Sequence, residues 1–212
     1  PNDQAQDVAE ASGMLYCKHD SSIAKGFEIV SYPFNLEFYQ KHFKKVIKLV
    51  NEHLVAGGAI SHRTKTCGLH IHVNRASVST LTQYKLMRFF GNGDNFGFLE
   101  SFSRRKDFHY CKLETMSKLD CAARAMYRKT SYDRYVALNF TKNTIELRIN
   151  RGTLKTDTLS ASLQFYEGLI SFCEQSPIPQ AHSGEAFRLW LQATSPSKYR
   201  ELKAYMIDRK IA

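Results

Sequence analysis

The sequence predicts an α+β fold in a single domain, residues 1–212, with a largely antiparallel sheet covered by helices on one side. Strand-like and helix-like segments are interleaved along the chain, and three residues that indicate a hairpin join the last two strand-like segments. Neither an internal repeat nor a linker is visible. A chain of 212 residues that is 43% hydrophobic can bury one substantial core.

The first third of the chain is predicted to form a strand and a long helix. The opening 13 residues are polar and weakly patterned, which predicts a terminal loop. In "KGFEIVSYPF", a β-prone run ends at a proline and places Glu28 opposite Phe27 and Ile29. From Leu36 to Val55, apolar residues recur at helical spacing, and two glycines then end the helix.

Two histidines mark the next predicted strand. Residues 66–75 read "TCGLHIHVNR", and a strand there projects His70 and His72 from the same face. The run "STLTQYKLMRFFGN" follows, and it predicts a helix that begins at a Ser/Thr cap and stops at Gly91.

A hairpin is predicted further along, from "DRYVALNF" and "NTIELRINRG" joined by "TKN". In its second strand, the aliphatic residues 145, 147 and 149 share one face. Glu146, Arg148 and Asn150 share the other, so a charged face lies opposite a core face. Apolar periodicity then predicts a helix over Thr156–Cys173 and a C-terminal pair of helices.

Composition limits the partners and the compartment. The chain has 30 Lys and Arg against 20 Asp and Glu, and this charge of +10 favours anionic partners such as nucleic acid or nucleotide phosphates. Its five cysteines contain no CxxC pair, which indicates a reducing compartment. Since no leader and no apolar run of ~18 residues is visible, we expect a cytoplasmic protein without a membrane partner.

Three side chains on separate predicted strands form a candidate metal site. Glu28, His70 and Glu146 combine carboxylate with imidazole, a set that can hold Mg²⁺ or Mn²⁺ beside a nucleotide phosphate. The arginines that would then neutralise phosphates are Arg104, Arg105, Arg134 and Arg148. Each residue alone also fits a structural role, such as a satisfied strand histidine or a cross-strand charge pair.

Four segments, in this order, resemble the amidoligase or carboxylate-amine ligase family, distant relatives of glutamine synthetase. They are "KHDSSIAKGFEIVSYPF", "CGLHIHV", "RRKDFHYC" and "RYVALNFTKNTIELRINRGTL". The resemblance covers about Lys18 to Cys173. In addition, "GLHIH" resembles the Gly-Met-His-x-His strand of glutamine synthetase, where the first histidine is a metal ligand, and "IELRI" resembles its Glu-x-Arg strand.

The resemblance implies a curved, largely antiparallel sheet with helices packed on one face, as in the catalytic domains of glutamine synthetase and glutamate–cysteine ligase. Its concave face would bind ATP with Mg²⁺ or Mn²⁺. A carboxylate would be phosphorylated by ATP, and an amine would attack the acyl phosphate to form an amide or peptide-like bond. The implied substrates carry a carboxylate and an amine, with peptides and proteins among the candidates.

Site residues follow from the resemblance position by position. Glu28, His70 and Glu146 resemble the metal ligands, and Arg148 resembles the residue that contacts the transferred phosphoryl group or the carboxylate. These four form the predicted catalytic set. The predicted nucleotide-binding or substrate-binding set is His72, Arg105, Arg134 and Asn139.

The sequence departs from the family at its start. The family opens with a strand that carries two acids, typically Gly-x-Glu-x-Glu, and nothing before Asp20 matches it. We therefore expect an N-terminally truncated catalytic domain, or a member without this strand. Either would leave the metal site short of ligands and the activity of this chain in question.

Two other functions remain open from the sequence. In His-hydrophobic-His nucleases that nick single-stranded DNA, two strand histidines bind a metal and a helical tyrosine attacks the phosphodiester; Tyr84 would be that nucleophile. The nuclease leaves "EIVSYP" and "IELRINRGTL" unexplained, so nucleic acid is not the favoured partner. The second alternative is non-catalytic: a basic nucleic-acid-binding module, or a degenerate ligase kept as an interaction protein.

Overall fold

The computed structural model describes residues 2–21, 23, 26–62, 64, 66–105, 109–126 and 135–212. These residues form two compact units. The first unit comprises Pro1–Gly68 and Gly152–Ser160, and the second comprises Leu69–Arg151 and Ala161–Ala212. The prediction of a single domain stays a prediction.

The first unit opens with helix α1, Asn2–Ala11, so the predicted terminal loop is wrong. The segment contains three Ala and two Gln residues, which favour a helix. Ala9 is fully buried. The helix ends where Gly13 adopts φ +65°, a conformation that costs glycine little.

A two-stranded hairpin follows α1. Strands β1, Leu15–Lys18, and β2, Glu28–Ser31, pair antiparallel with Lys18 opposite Glu28. Tyr32 follows the end of β2, and its ring lies 5.6 Å from the ring of Tyr16 on β1. The predicted strand around Glu28 is confirmed, whereas the sequence did not indicate β1.

The predicted long helix is confirmed, and it contains a π-helical turn that the pattern did not predict. It consists of α2, Leu36–Phe38, a π turn, Tyr39–Phe43, and α3, Lys44–Ala56. Asn35 caps its start by accepting from the Phe38 N–H at 2.8 Å. Tyr39 and Phe43 of the π turn are buried, and the Tyr39 hydroxyl lies 2.8 Å from Ser160 Oγ.

The second unit is built on a three-stranded sheet with strand order β3-β5-β4. Its strands are β3, Gly68–Asn74, β4, Leu138–Phe140, and β5, Thr144–Arg151. The β4–β5 pair is antiparallel, which confirms the predicted hairpin. Its turn is held by Thr141, whose backbone N–H donates to Thr144 O at 2.9 Å.

Helices surround this sheet and supply an aromatic core. They are α4, Thr80–Phe90, α5, Phe96–Ser103, α6, Lys118–Met126, α7, Thr156–Gln175, α8, Gly184–Ala193, and α9, Arg200–Asp208. Phe102 stacks on Phe165 with ring centroids 4.1 Å apart, and Phe187 packs edge-on against Phe165 at 5.6 Å. These contacts tie α5 and α8 to α7.

The predicted α+β class is confirmed in its coarse form, as helices combined with small antiparallel sheets. The described strands form one two-stranded and one three-stranded ladder rather than the single larger sheet that was expected. β1, β2 and β4 are only three or four residues long, and such short strands offer few backbone groups for further pairing. No helix in the described part of the chain is long and apolar enough to cross a membrane.

Candidate functional site

One face of the three-stranded sheet gathers most of the predicted site residues. The two-residue period of a strand places His70 with His72 on β3 and Glu146 with Arg148 on β5. β5 lies between β3 and β4, and its Glu146 stands opposite Asn139 of β4. We call these five residues the Glu146 cluster.

The Glu146 carboxylate is the centre of the cluster. Only 9% of its side chain is exposed, and Oε1 accepts from Arg148 NH1 at 2.6 Å while Oε2 accepts from Asn139 Nδ2 at 2.9 Å. Burial tends to raise the pKa of Glu146. The hydrogen bond from Asn139 and the positive charge of Arg148 outweigh burial, so the pKa is held below the usual range.

Both histidines approach the same carboxylate oxygen. His70 Nδ1 lies 3.5 Å and His72 Nε2 lies 3.7 Å from Glu146 Oε1. His72 Nδ1 also lies 3.2 Å from the hydroxyl of Thr144, which orients its ring. His72 is therefore almost as close to Glu146 as His70 is. The sequence indicated only that the two histidines share a strand face.

The protonation state of His70 follows from its surroundings. The side chain of His70 is 37% exposed. Its partial burial, and next the positive charge of Arg148, lower the pKa of His70 to about 4, although Glu146 acts in the opposite direction. At neutral pH the imidazole is therefore uncharged, and a neutral imidazole is the form that binds metal ions.

This lowered pKa predicts a loss of stability in acid. Unfolded chains protonate histidine near pH ~6.5, whereas folded His70 stays neutral down to about pH 4, so the metal-free protein should lose stability as pH falls through this window. The lowered pKa of Glu146 adds a further loss below its unfolded value of ~4.3. Chemical denaturation at several pH values, with chelator present, measures the effect.

The matched variants are His70→Asn in the cluster and His53→Asn on α3, where His53 is exposed. We expect His70→Asn to reduce the loss of stability between pH 6.5 and 4 more than His53→Asn does. Equal pH profiles for the two variants would contradict the assignment to His70.

Beside the cluster lies a set of buried donors. The Nε atoms of Arg148 and Arg105 are buried without a hydrogen-bond partner among the described residues. Asn150 Nδ2 and the Tyr166 hydroxyl are also buried, and these two side chains interact with each other. Arg105 NH2 donates to the backbone oxygen of Asn150 at 3.0 Å, which fixes Arg105 near β5. Since unsatisfied buried donors are costly, this set is suited to the oxygens of an anionic ligand.

Two members of this donor set were not predicted as site residues. Asn150 could have been, because it shares the strand face of Glu146 and Arg148. Tyr166 lies on α7, within an apolar helical pattern that gives no functional signal. Its side chain neighbours Asn150 and Arg105, and burial raises its pKa well above the usual value.

Two predicted site residues remain, Glu28 and Arg134. Glu28 belongs to the first unit, where its Oε2 lies 3.1 Å from Nζ of the cross-strand Lys18. The sequence left open that Glu28 is a surface acid of an edge strand, and a ligand role for Glu28 stays a prediction. Arg134 lies outside the described residues.

The cluster has suitable donor types for a metal ion, but it is not arranged as a finished metal site. Among the described residues, no group of three or more His, Cys, Asp or Glu side chains could hold a metal ion in this geometry. The guanidinium of Arg148 explains this, because its NH1 takes the Oε1 position that the two imidazoles face. A divalent ion would therefore have to displace Arg148 from Glu146.

Comparison with known proteins adds no assignment. No protein-family model, curated protein or solved structure matches the chain.

Proposed function

We propose that this chain acts as an ATP-dependent carboxylate-amine ligase that forms an amide bond through an acyl phosphate. The observation that carries the proposal is the Glu146 cluster, in which an ionised carboxylate, a neutral imidazole and a buried arginine meet on one sheet face. Phosphoryl transfer needs this combination, because metal-bound carboxylates and cations must stabilise the charge on the transferred group. The motif order in the sequence supports the same function.

Each residue of the cluster has a role in this proposal. Glu146 and His70 would hold Mg²⁺ or Mn²⁺, and the ion would supply positive charge to stabilise the charge that develops on the transferred phosphoryl group. Arg148 exchanges its contact with Glu146 for one with the phosphoryl group, and so frees Glu146 Oε1 for the metal. Asn139 keeps Glu146 oriented through Oε2 during this exchange, while Arg105 offers its buried Nε to the nucleotide or substrate.

Binding of Mg-ATP tests the proposal. We expect titration calorimetry to detect Mg-ATP binding, and we expect saturating Mg-ATP, at ~100 times the Kd, to stabilise the folded chain by about 2.7 kcal/mol. Arg148→Lys should weaken binding at least about tenfold, because lysine keeps a charge beside Glu146 but loses the planar array of donors. The control is Arg151→Lys on the same strand, where Arg151 donates to the backbone oxygen of Arg104 at 3.4 Å.

An unchanged affinity in Arg148→Lys, or an equal loss in Arg151→Lys, would count against the role of Arg148. Absence of any Mg-ATP binding, together with binding of single-stranded DNA, would favour the second function considered next.

A metal-dependent nuclease that nicks single-stranded DNA is the second candidate. The observation that favours it is the near-equal approach of His70 Nδ1 and His72 Nε2 to Glu146 Oε1, at 3.5 and 3.7 Å. Two equivalent imidazoles are what such a nuclease uses to hold its ion. Tyr84, the predicted nucleophile, is half-buried on α4. This function predicts that Tyr84→Phe abolishes nicking.

A further inference from the structure

A second candidate binding site lies in the second unit, and it shares no residue with the Glu146 cluster. It is a cleft of about 470 Å³ between the end of β3, the start of α4, the end of α6 and the β4–β5 turn. We call it the α4 cleft. Pockets for small molecules have volumes of roughly 300–1,000 Å³, so the α4 cleft is large enough for one.

The charge of the α4 cleft is positive. None of its described lining residues is Asp or Glu, whereas Lys142 and Arg75 both line it. Lys142 is exposed on the β4–β5 turn and makes no ion pair with a described residue. Arg75 is buried, and its Nε donates to Gln83 Oε1 at 2.9 Å while NH1 donates to Thr141 O at 2.9 Å. The Arg75 charge is thus fixed in the wall of the cleft.

The cleft is also lined by neutral side chains, some polar and some apolar, which suit a ligand that has both a polar and an apolar part. Thr80 and Asn143 line the cleft, and their side chains make no hydrogen bond within the described part of the chain. Asn74 Oδ1 accepts from the Ala76 N–H at 3.0 Å, which leaves the amide Nδ2 of Asn74 as a donor. Apolar side chains of Val78 and Met126 line the same cleft.

We propose that the α4 cleft binds a small organic anion. Lys142, Asn143 and Thr80 hold its carboxylate or phosphate group, and its apolar part lies against Val78 and Met126. The electrostatic potential of the surrounding residues favours an anionic ligand, because residues 69–151 contain 15 Lys and Arg against seven Asp and Glu. The site is separate from the proposed ligase reaction, and it does not depend on ATP.

The test uses the full chain and three probes of equal carbon length: butyrate, butyl phosphate and butylamine. Amide signals of Ala76, Thr80 and Asn143 in ¹⁵N-resolved spectra report on the α4 cleft alone. We expect saturable shifts of these signals with butyrate, butyl phosphate or both, and none with butylamine. Lys142→Gln should weaken binding about fivefold, as loss of an exposed charge contact does, whereas Lys118→Gln, at the start of α6, should not.

A second variant, Ala76→Phe, places a large ring in the cleft from an exposed turn and should abolish the shifts of Thr80 and Asn143. Binding of only one anion supports the proposal and identifies the ligand as a carboxylate or a phosphate ester. The proposal is overturned if neither anion shifts these signals, if butylamine binds equally, or if binding survives Ala76→Phe. Because no nucleotide is used, its failure leaves the ligase proposal standing, and failure of Mg-ATP binding leaves this one standing.

Discussion

Replacing Arg148 with alanine is expected to lower the free energy of unfolding by about 3 kcal/mol, the cost of removing one partner from a buried ion pair. Arg148 and Glu146 have side chains that are only 13% and 9% exposed, and they meet at 2.6 Å. Without Arg148, the Glu146 carboxylate keeps the Asn139 hydrogen bond but loses its positive partner. Urea denaturation of the wild type and the variant measures the difference.

A double-mutant cycle separates this effect from lost packing. Glu146→Gln removes the charge but keeps an oxygen for Asn139, so adding Glu146→Gln to Arg148→Ala should recover a large part of the lost stability. If Arg148→Ala costs less than ~0.5 kcal/mol, as exposed pairs do, the pair is not the buried centre of the cluster.

Removal of His70 is expected to weaken Mn²⁺ binding far more than removal of His72. In the ligase proposal His70 binds the metal ion directly, so His70→Ala should lower the affinity for Mn²⁺ about 100-fold or more. This loss is at or above the upper end of what is usual for residues that only hydrogen-bond to a metal ligand. His72 orients nucleotide or substrate and is held by Thr144 at 3.2 Å, so His72→Ala should cost about tenfold or less. Calorimetric titration with Mn²⁺ compares the two variants.

Thr144→Val serves as a control, because it removes the hydroxyl beside His72 without changing either imidazole. Equal losses of affinity in His70→Ala and His72→Ala, accompanied by DNA nicking that Tyr84→Phe abolishes, would refute the ligase assignment and support the nuclease.

Local signals in the sequence predicted several elements correctly. Ser79 and Gly91 mark the two ends of α4. A hydroxyl side chain at the N-cap and a glycine at the C-terminal end act within one helical turn, so they can be recognised from the local sequence. The alternation in "NTIELRINRG" predicted the core face of β5, where Ile145, Leu147 and Ile149 are buried. It also predicted that Glu146 and Arg148 share a face, since the strand period leaves no other arrangement.

Features that depend on contacts between distant segments were harder to predict. The burial of Glu146 is one example. Residues on both faces of β5 are buried, whereas the sequence indicates only that one face is apolar and the other is polar. α1 is another, since its stability comes from good helix formers and a buried Ala9 rather than from an apolar stripe. The proximity of Tyr166 to Asn150 depends on the packing of α7, which no residue of α7 indicates alone.

The central claim is that the Glu146 cluster activates a carboxylate by phosphorylation, and trapping of the acyl phosphate tests it most directly. The chain is incubated with Mg-ATP, hydroxylamine and each of a set of amino acids and short peptides, and ADP and hydroxamate are both quantified. We predict that at least one carboxylate yields ADP and hydroxamate in equal amounts, and that Glu146→Gln and Arg148→Lys abolish both products while Arg151→Lys does not. Release of ADP that no carboxylate stimulates, without any hydroxamate, would contradict the account.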